Sequence, residues 1–149
     1  MKKMIALIVT LLFIVGCENA QKNDVVEWTI SPLFESGSYS MIGEEGKVGF
    51  IYDDSEVLRF YPEKIQKYMW HFWGDSKELE GSLKITATSK DSGEVIIVHE
   101  GAVSNPLNGA DGHTPSNLSL PTSGLWRFDI QIAGKHFGSI VVKAHEATN

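Results

Sequence analysis

From Ser82 to Ser89 the chain alternates, with Leu83, Ile85 and Ala87 on one face and Lys84, Thr86 and Thr88 on the other. A period of two marks a strand lying half-buried on a sheet. The same period returns over residues 125–132, where Trp126, Phe128, Ile130 and Ile132 oppose Arg127, Asp129 and Gln131. An Ala133-Gly134 turn leads into a closing strand at 135–143, and Asp91-Ser92-Gly93 makes a hairpin of Ser82–Ser89 with a strand at 95–99. Further strands are predicted at 25–30, which stops before Pro32, at 47–52 and at 66–73, with a short one at 57–60. Residues 105–116 read as loop, and Leu118 and Leu120 follow at strand spacing. About eight or nine short antiparallel strands, with a turn signal every ten residues or so, predict an all-β fold: an immunoglobulin-like antiparallel β-sandwich. A small barrel is the competing closure.

The segment 120–128, LPTSGLWRF, favours the sandwich, because it resembles the corner that leads into the penultimate strand of immunoglobulin-like domains. Trp126 is the ring expected to enter the core there, and Trp70 the core tryptophan of a central strand. A chain of 149 residues is long enough for one domain with a substantial core.

The first residues follow a different pattern. Lys2 and Lys3 precede a largely apolar run at 4–15, then Gly16 and Cys17, which is the layout of a secretory signal. The run is too short for an ordinary membrane-spanning helix, which needs about 20 residues. Ile14-Val15-Gly16-Cys17 resembles the lipobox of bacterial lipoproteins. That resemblance implies a diacylglyceryl group on the Cys17 thiol and cleavage just before it, and two acyl chains suffice for stable anchoring. The expected organisation is a signal peptide at 1–16, a lipidated cysteine and flexible tether at 17–24, and the sandwich domain at 25–149. The bilayer is then one partner, reached through acylated Cys17, on the extracytoplasmic face of the cell membrane.

Cys17 is the only cysteine. Once it is acylated, a cysteine nucleophile, a disulfide framework and a Cys-ligated zinc site are excluded. Loss of residues 1–16 lowers the Lys and Arg count from 13 to 11 against 19 acidic residues, a formal charge of −8. Such a surface repels nucleic acid, and the sequence has neither a basic patch nor a Gly-rich phosphate loop.

Three blocks, residues 67–74 (KYMWHFWG), Asn108-Gly-Ala-Asp111 followed by Pro115-Ser116, and residues 120–143, carry a resemblance. The chain is similar to a family of small lipoproteins from Bacillus and its relatives, catalogued as a domain of unknown function with an immunoglobulin-like fold. The resemblance implies the fold and the anchor and brings no activity with it.

Two stretches hold candidate chemistry. In KYMWHFWG a strand sends Tyr68, Trp70 and Phe72 to one side and Met69, His71 and Trp73 to the other. The second set either forms an aromatic surface for a sugar ring or a peptide, or lies covered by a neighbouring loop or by residues 31–45. In NGADGHTPS, residues 108–116, turn formers account for the composition on conformational grounds. The functional alternatives let Asn108, Asp111 and His113 converge on a ligand or metal, or let Asp111 orient His113 as a general base with Ser116 or Ser119 as nucleophile. Zinc lacks a full ligand set here, calcium finds one carboxylate, and no G-x-S-x-G elbow surrounds either serine. His99, His136 and His145 are expected at exposed strand ends without a shared site.

The expected function is therefore that of a non-enzymatic binding or accessory module at the cell envelope, with no cofactor and with an envelope protein or glycan as partner. Its candidate contact residues are His71, Trp73, Asn108, Asp111 and His113. The alternatives are a metal-dependent or hydrolytic protein centred on Asp111 and His113, and a purely structural envelope protein.

Overall fold

The computed structural model describes residues 27–148. The signal segment, Cys17 and the tether lie outside these residues. Nine strands make up the domain: β1 (Leu33–Ser36), β2 (Tyr39–Glu44), β3 (Val48–Ile51), β4 (Gln66–Phe72), β5 (Ser82–Ser89), β6 (Val95–Ala102), β7 (Gly112–Leu118), β8 (Gly124–Ile132) and β9 (Lys135–Ala144). They form two antiparallel sheets, ordered β1-β2-β3-β4-β7 and β6-β5-β8-β9. The chain crosses between sheets after β4, β6 and β7. This Greek-key path is that of an immunoglobulin-like sandwich, with β3-β4-β7 facing β6-β5-β8-β9 and the β1–β2 hairpin added at one edge.

Alternation decides which side chains meet between the sheets. Tyr68, Trp70 and Phe72 of β4 point inward, as do Leu83, Ile85 and Ala87 of β5 and Trp126, Phe128 and Ile130 of β8, and all are buried. Phe50 of β3 packs on Trp70 at 4.7 Å between ring centroids, and Phe128 meets Trp70 edge-on at 5.4 Å. Each such pair adds about 0.5–1.5 kcal/mol to what burial alone supplies. Trp126 turns the corner into β8, its indole N–H donating to the carbonyl of Thr122 at 2.9 Å. Among the described residues, every member of this core lies between residues 42 and 144.

Four stretches depart from the sequence expectation. Of the strand predicted at 25–30, Val25 and Val26 lie outside the described residues, while residues 27–30 are not strand: Ile30 faces solvent and Trp28 lies over the Arg127 guanidinium at 5.5 Å. Residues 56–58 form a turn begun by Ser55, whose carbonyl accepts from Leu58 and Arg59 N–H, and only Phe60 makes an isolated parallel bridge, to Ala144, with its ring in the core. Residues 31–45, left without elements above, supply β1 and β2.

The fourth departure matters most, because the second half of the predicted loop at 105–116 is strand β7. It pairs with β4 from Gly112 opposite Phe72 to Leu118 opposite Gln66. Pro115 is tolerated because β7 is an edge strand, so its missing N–H breaks no ladder. The β9 edge is covered in another way. Ser31 N–H donates to Val141 O at 2.9 Å, Val141 N–H donates to Ser31 Oγ at 2.9 Å, and Ser139 N–H donates to Glu44 Oε1 at 2.8 Å.

Candidate functional site

The outward face of the five-stranded sheet carries the candidate residues. Met69, His71 and Trp73 leave β4 on this side, and Gly49 of β3 sits level with His71. A Cβ on Gly49 would lie 2.7 Å from the Phe34 ring, so the glycine makes room for Phe34 over the sheet. Phe34 in turn meets the Trp73 ring edge-on at 5.8 Å. With Met41 and Ala110, also buried, these side chains make a small apolar cluster apart from the main core.

A tight turn closes over this cluster. Leu107 and Ala110 exchange backbone hydrogen bonds at 3.2 and 2.9 Å, and the two residues between them, Asn108 (φ 50°) and Gly109 (φ 82°), adopt the left-handed conformations that Asn-Gly accepts readily. Five bonds then seat the loop. Ser36 Oγ donates to Asn108 O at 3.0 Å, Trp73 Nε1 to Gly109 O at 3.0 Å, and Asn108 Nδ2 to His71 Nε2 at 3.0 Å. Asp111 N–H donates to Phe72 O at 2.9 Å, and its Oδ2 accepts from Gly74 N–H at 2.9 Å.

His71 is 0% exposed. Its Nδ1 donates to Met69 O at 3.0 Å, which leaves Nε2 as the acceptor for Asn108 and fixes one neutral tautomer. Burial lowers its pKa below the ordinary histidine range, against a smaller raising effect of Met69 O, and the neighbouring His113 lowers it further. His113 is the register partner of His71 on β7, and its own Nδ1 donates to Asn105 O.

All five candidate residues thus gather at one end of β4 and β7. Asp111 and His113, however, bond to different partners, the amide of Gly74 and the carbonyl of Asn105. Ser116 is buried with its Oγ accepting from Trp70 Nε1 at 2.7 Å. Among the described residues no three His, Cys, Asp or Glu side chains stand close enough to hold a metal ion. The aromatic face predicted for Met69, His71 and Trp73 is the covered one: the 107–110 turn and Phe34 lie over it. Asp111 is exposed, and Trp73 and His113 are half-buried.

Two polar clusters are invisible to sequence spacing. Asp54, in a left-handed conformation (φ 56°), accepts from Tyr52 Oη at 3.1 Å and Arg59 Nε at 3.1 Å, and His145 Nε2 stands 3.3 Å away. The Arg59 hydrogen bond holds the Asp54 pKa down, while burial and then the Asp54 carboxylate push the Tyr52 phenol far above its ordinary value. His145 is therefore a half-buried member of a cluster rather than an exposed strand end. His99 is half-buried too, 3.3 Å from Thr114 Oγ1, with its pKa lowered by burial; His136 is exposed as expected. On the outer face of the four-stranded sheet, Asp129 accepts from Arg127 Nε at 3.0 Å and Ser139 Oγ at 2.8 Å, beside a cleft of about 610 Å³. The only sequence cue to the first cluster is the Asp53-Asp54 turn, since nothing in the spacing brings residue 145 to it.

Comparison with known proteins agrees with this architecture. The chain superposes on a crystal structure of a candidate lipoprotein from Bacillus anthracis with a TM-score of 0.63 and 25% sequence identity, over 81% of this chain and 88% of that one. No curated protein matches it significantly. A family model matches residues 19–142, which include all strands but the last residues of β9, and the chain belongs to that family, described as Domain of unknown function (DUF4871).

Proposed function

We propose that the protein is a lipid-anchored lipoprotein of the cell envelope that acts as a non-enzymatic binding or accessory module. The anchor reading is supported by the Cys17 motif and by the likeness to the Bacillus anthracis protein. The observation that carries the non-enzymatic reading is the separation of the polar groups at the loop. Asp111 Oδ2 accepts from Gly74 N–H and His113 Nδ1 donates to Asn105 O, so neither orients the other, and Ser116 Oγ is buried as the acceptor of Trp70 Nε1. A general base works best when a second group orients it, and a nucleophile needs that base beside it. A loop seated by five bonds on a rigid sheet suits recognition, because little entropy is lost when a partner meets it.

The test is made in intact cells, with a photoreactive residue at Asn105 beside the loop or at Ser92 in the β5–β6 turn, at the opposite end of the strands. A discrete crosslinked protein or glycan from Asn105 and not from Ser92 is expected, with a diacylglyceryl mass on Cys17. Identical products from both positions argue against a recognition end, and an unmodified Cys17 argues against the anchor.

A further inference from the structure

The two sheets differ in width, and the difference leaves a gap. β2 and β3 pack against β9, whereas the β1 backbone comes close to no strand but β2. On the inner side, which faces away from Phe34, the β1–β2 hairpin overhangs the second sheet, since the β1 backbone approaches no strand of that sheet. Leu33, which pairs with core residue Ile42 and shares its inward side, is 49% exposed, and Ile30 beside it is 46% exposed. The space beneath is a cleft of about 330 Å³, floored by Ile42 and Tyr52 and closed at one end by Asp54, Lys143 and His145. That volume is at the small end of ligand pockets, and such pockets are typically apolar with a few convergent polar groups.

The charges at the closed end are unequal in their commitments. Asp54 is matched by the Tyr52 hydroxyl, Arg59 and His145. Lys143 has no carboxylate within 4 Å among the described residues. An apolar trough ending at an unspent ammonium is complementary to a molecule with an aliphatic chain and a negative head. We propose that the cleft under the β1–β2 overhang binds an anionic amphiphile, its chain along Ile30, Leu33 and Ile42 and its carboxylate or phosphate head at Lys143. The site is distinct from the loop at Asn108 and does not depend on acylation of Cys17.

Binding is measured by calorimetry on the chain lacking residues 1–17, which keeps every described core residue, with decanoate as probe in buffer below its micellar range. Saturable one-site binding is expected. Leu33→Asp and Lys143→Glu are each expected to weaken it at least tenfold, while Ile65→Asp, an exposed apolar position elsewhere, leaves it unchanged. Thermal melts establish that each variant folds, and Leu33→Asn replaces Leu33→Asp if it does not. A second arm offers phosphatidylglycerol vesicles and measures lipid carried into the soluble fraction. Binding in buffer identifies a free amphiphile as the source, and lipid transfer identifies a bilayer lipid. No saturable binding in either arm overturns the proposal, as does binding indifferent to Leu33→Asp. Equal or tighter binding of decyltrimethylammonium overturns the anionic head.

Discussion

Three replacements of Asn108 separate two contributions of one residue. In the native protein its amide N–H satisfies His71 Nε2, and its backbone takes a left-handed conformation at φ 50°. Asn108→Ala removes the donor, leaving a buried acceptor unpaired at a cost of about 1–3 kcal/mol. It also places a Cβ without a compensating polar group in left-handed space, at roughly 1–2 kcal/mol. The total, about 2–5 kcal/mol, is a large share of the stability of a small domain. Asn108→Gly loses the donor but not the conformational ease, so it is expected to retain more stability than Asn108→Ala.

Asn108→Asp changes the sign of a pH dependence. Native His71 is held neutral, with its folded pKa below the unfolded value near 6.5, so its stabilisation is complete above that pH and is lost as pH falls through it. A carboxylate at 108 stabilises the imidazolium instead and raises the folded pKa. Its contribution is then complete below about pH 6.5 and lost as pH rises through the folded value. Urea unfolding at pH 8, 7, 6 and 5.5 reads both effects, and the difference between variant and native curves cancels groups common to both, His99 among them. An Asn108→Asp profile parallel to the native one, or an Asn108→Gly variant as stable as the native protein, would refute the assignment of this contact.

Three further outcomes are expected. Gly49→Ala drives a methyl into the Phe34 ring and costs about 1–3 kcal/mol, and Phe34→Leu in the same chain recovers part of it, measured as a coupling energy in a double-mutant cycle; strict additivity would sink the idea. Acrylamide quenches the fluorescence of Trp28 and Trp73 but not of Trp70 and Trp126, which have no exposed surface, so the chain carrying Trp28→Phe and Trp73→Phe is nearly resistant. EDTA, calcium and zinc leave the thermal midpoint unchanged, whereas a metal bound at about 100 times its dissociation constant adds roughly 2.7 kcal/mol and raises it by several degrees.

Strands with one wet face were legible from composition. β5 and β8 alternate because Thr86 and Arg127 look outward while Ile85 and Phe128 look inward, and their limits agree with the pattern within a residue. β2 and β7 were not, for different reasons. β2 is packed on both sides, so Met41 and Ile42 are buried in succession, whereas β7 alternates in burial but places Thr114 and Ser116 at its buried positions, so no apolar period shows. In β7 the sequence GHTPSNL carries turn chemistry that an edge strand tolerates. The reverse error arose at residues 27–30, where strand-like composition serves instead to cover Arg127 with Trp28. The residues of the candidate site could be named from sequence, but their roles could not. His71 and Asn108 are 37 residues apart, and Ser36 and Asn108 are 72 apart, so only strand pairing reveals that they hold one loop.

The clip between Ser31 and the last strand also defines a load path. Under the proposed anchor, tension from the membrane passes along the chain to Ser31 and Pro32 and reaches the body of the domain through the two Ser31–Val141 bonds and the bond from Gly43 N–H to Pro32 O. Force is thereby passed to β9, an edge strand of one sheet, and to β2, second from the edge of the other, and not to β4 or β7. The end of the molecule that carries Asn108 and Asp111 stays slack while the domain is pulled, so drag at the cell surface leaves its shape unchanged until the clip itself gives way.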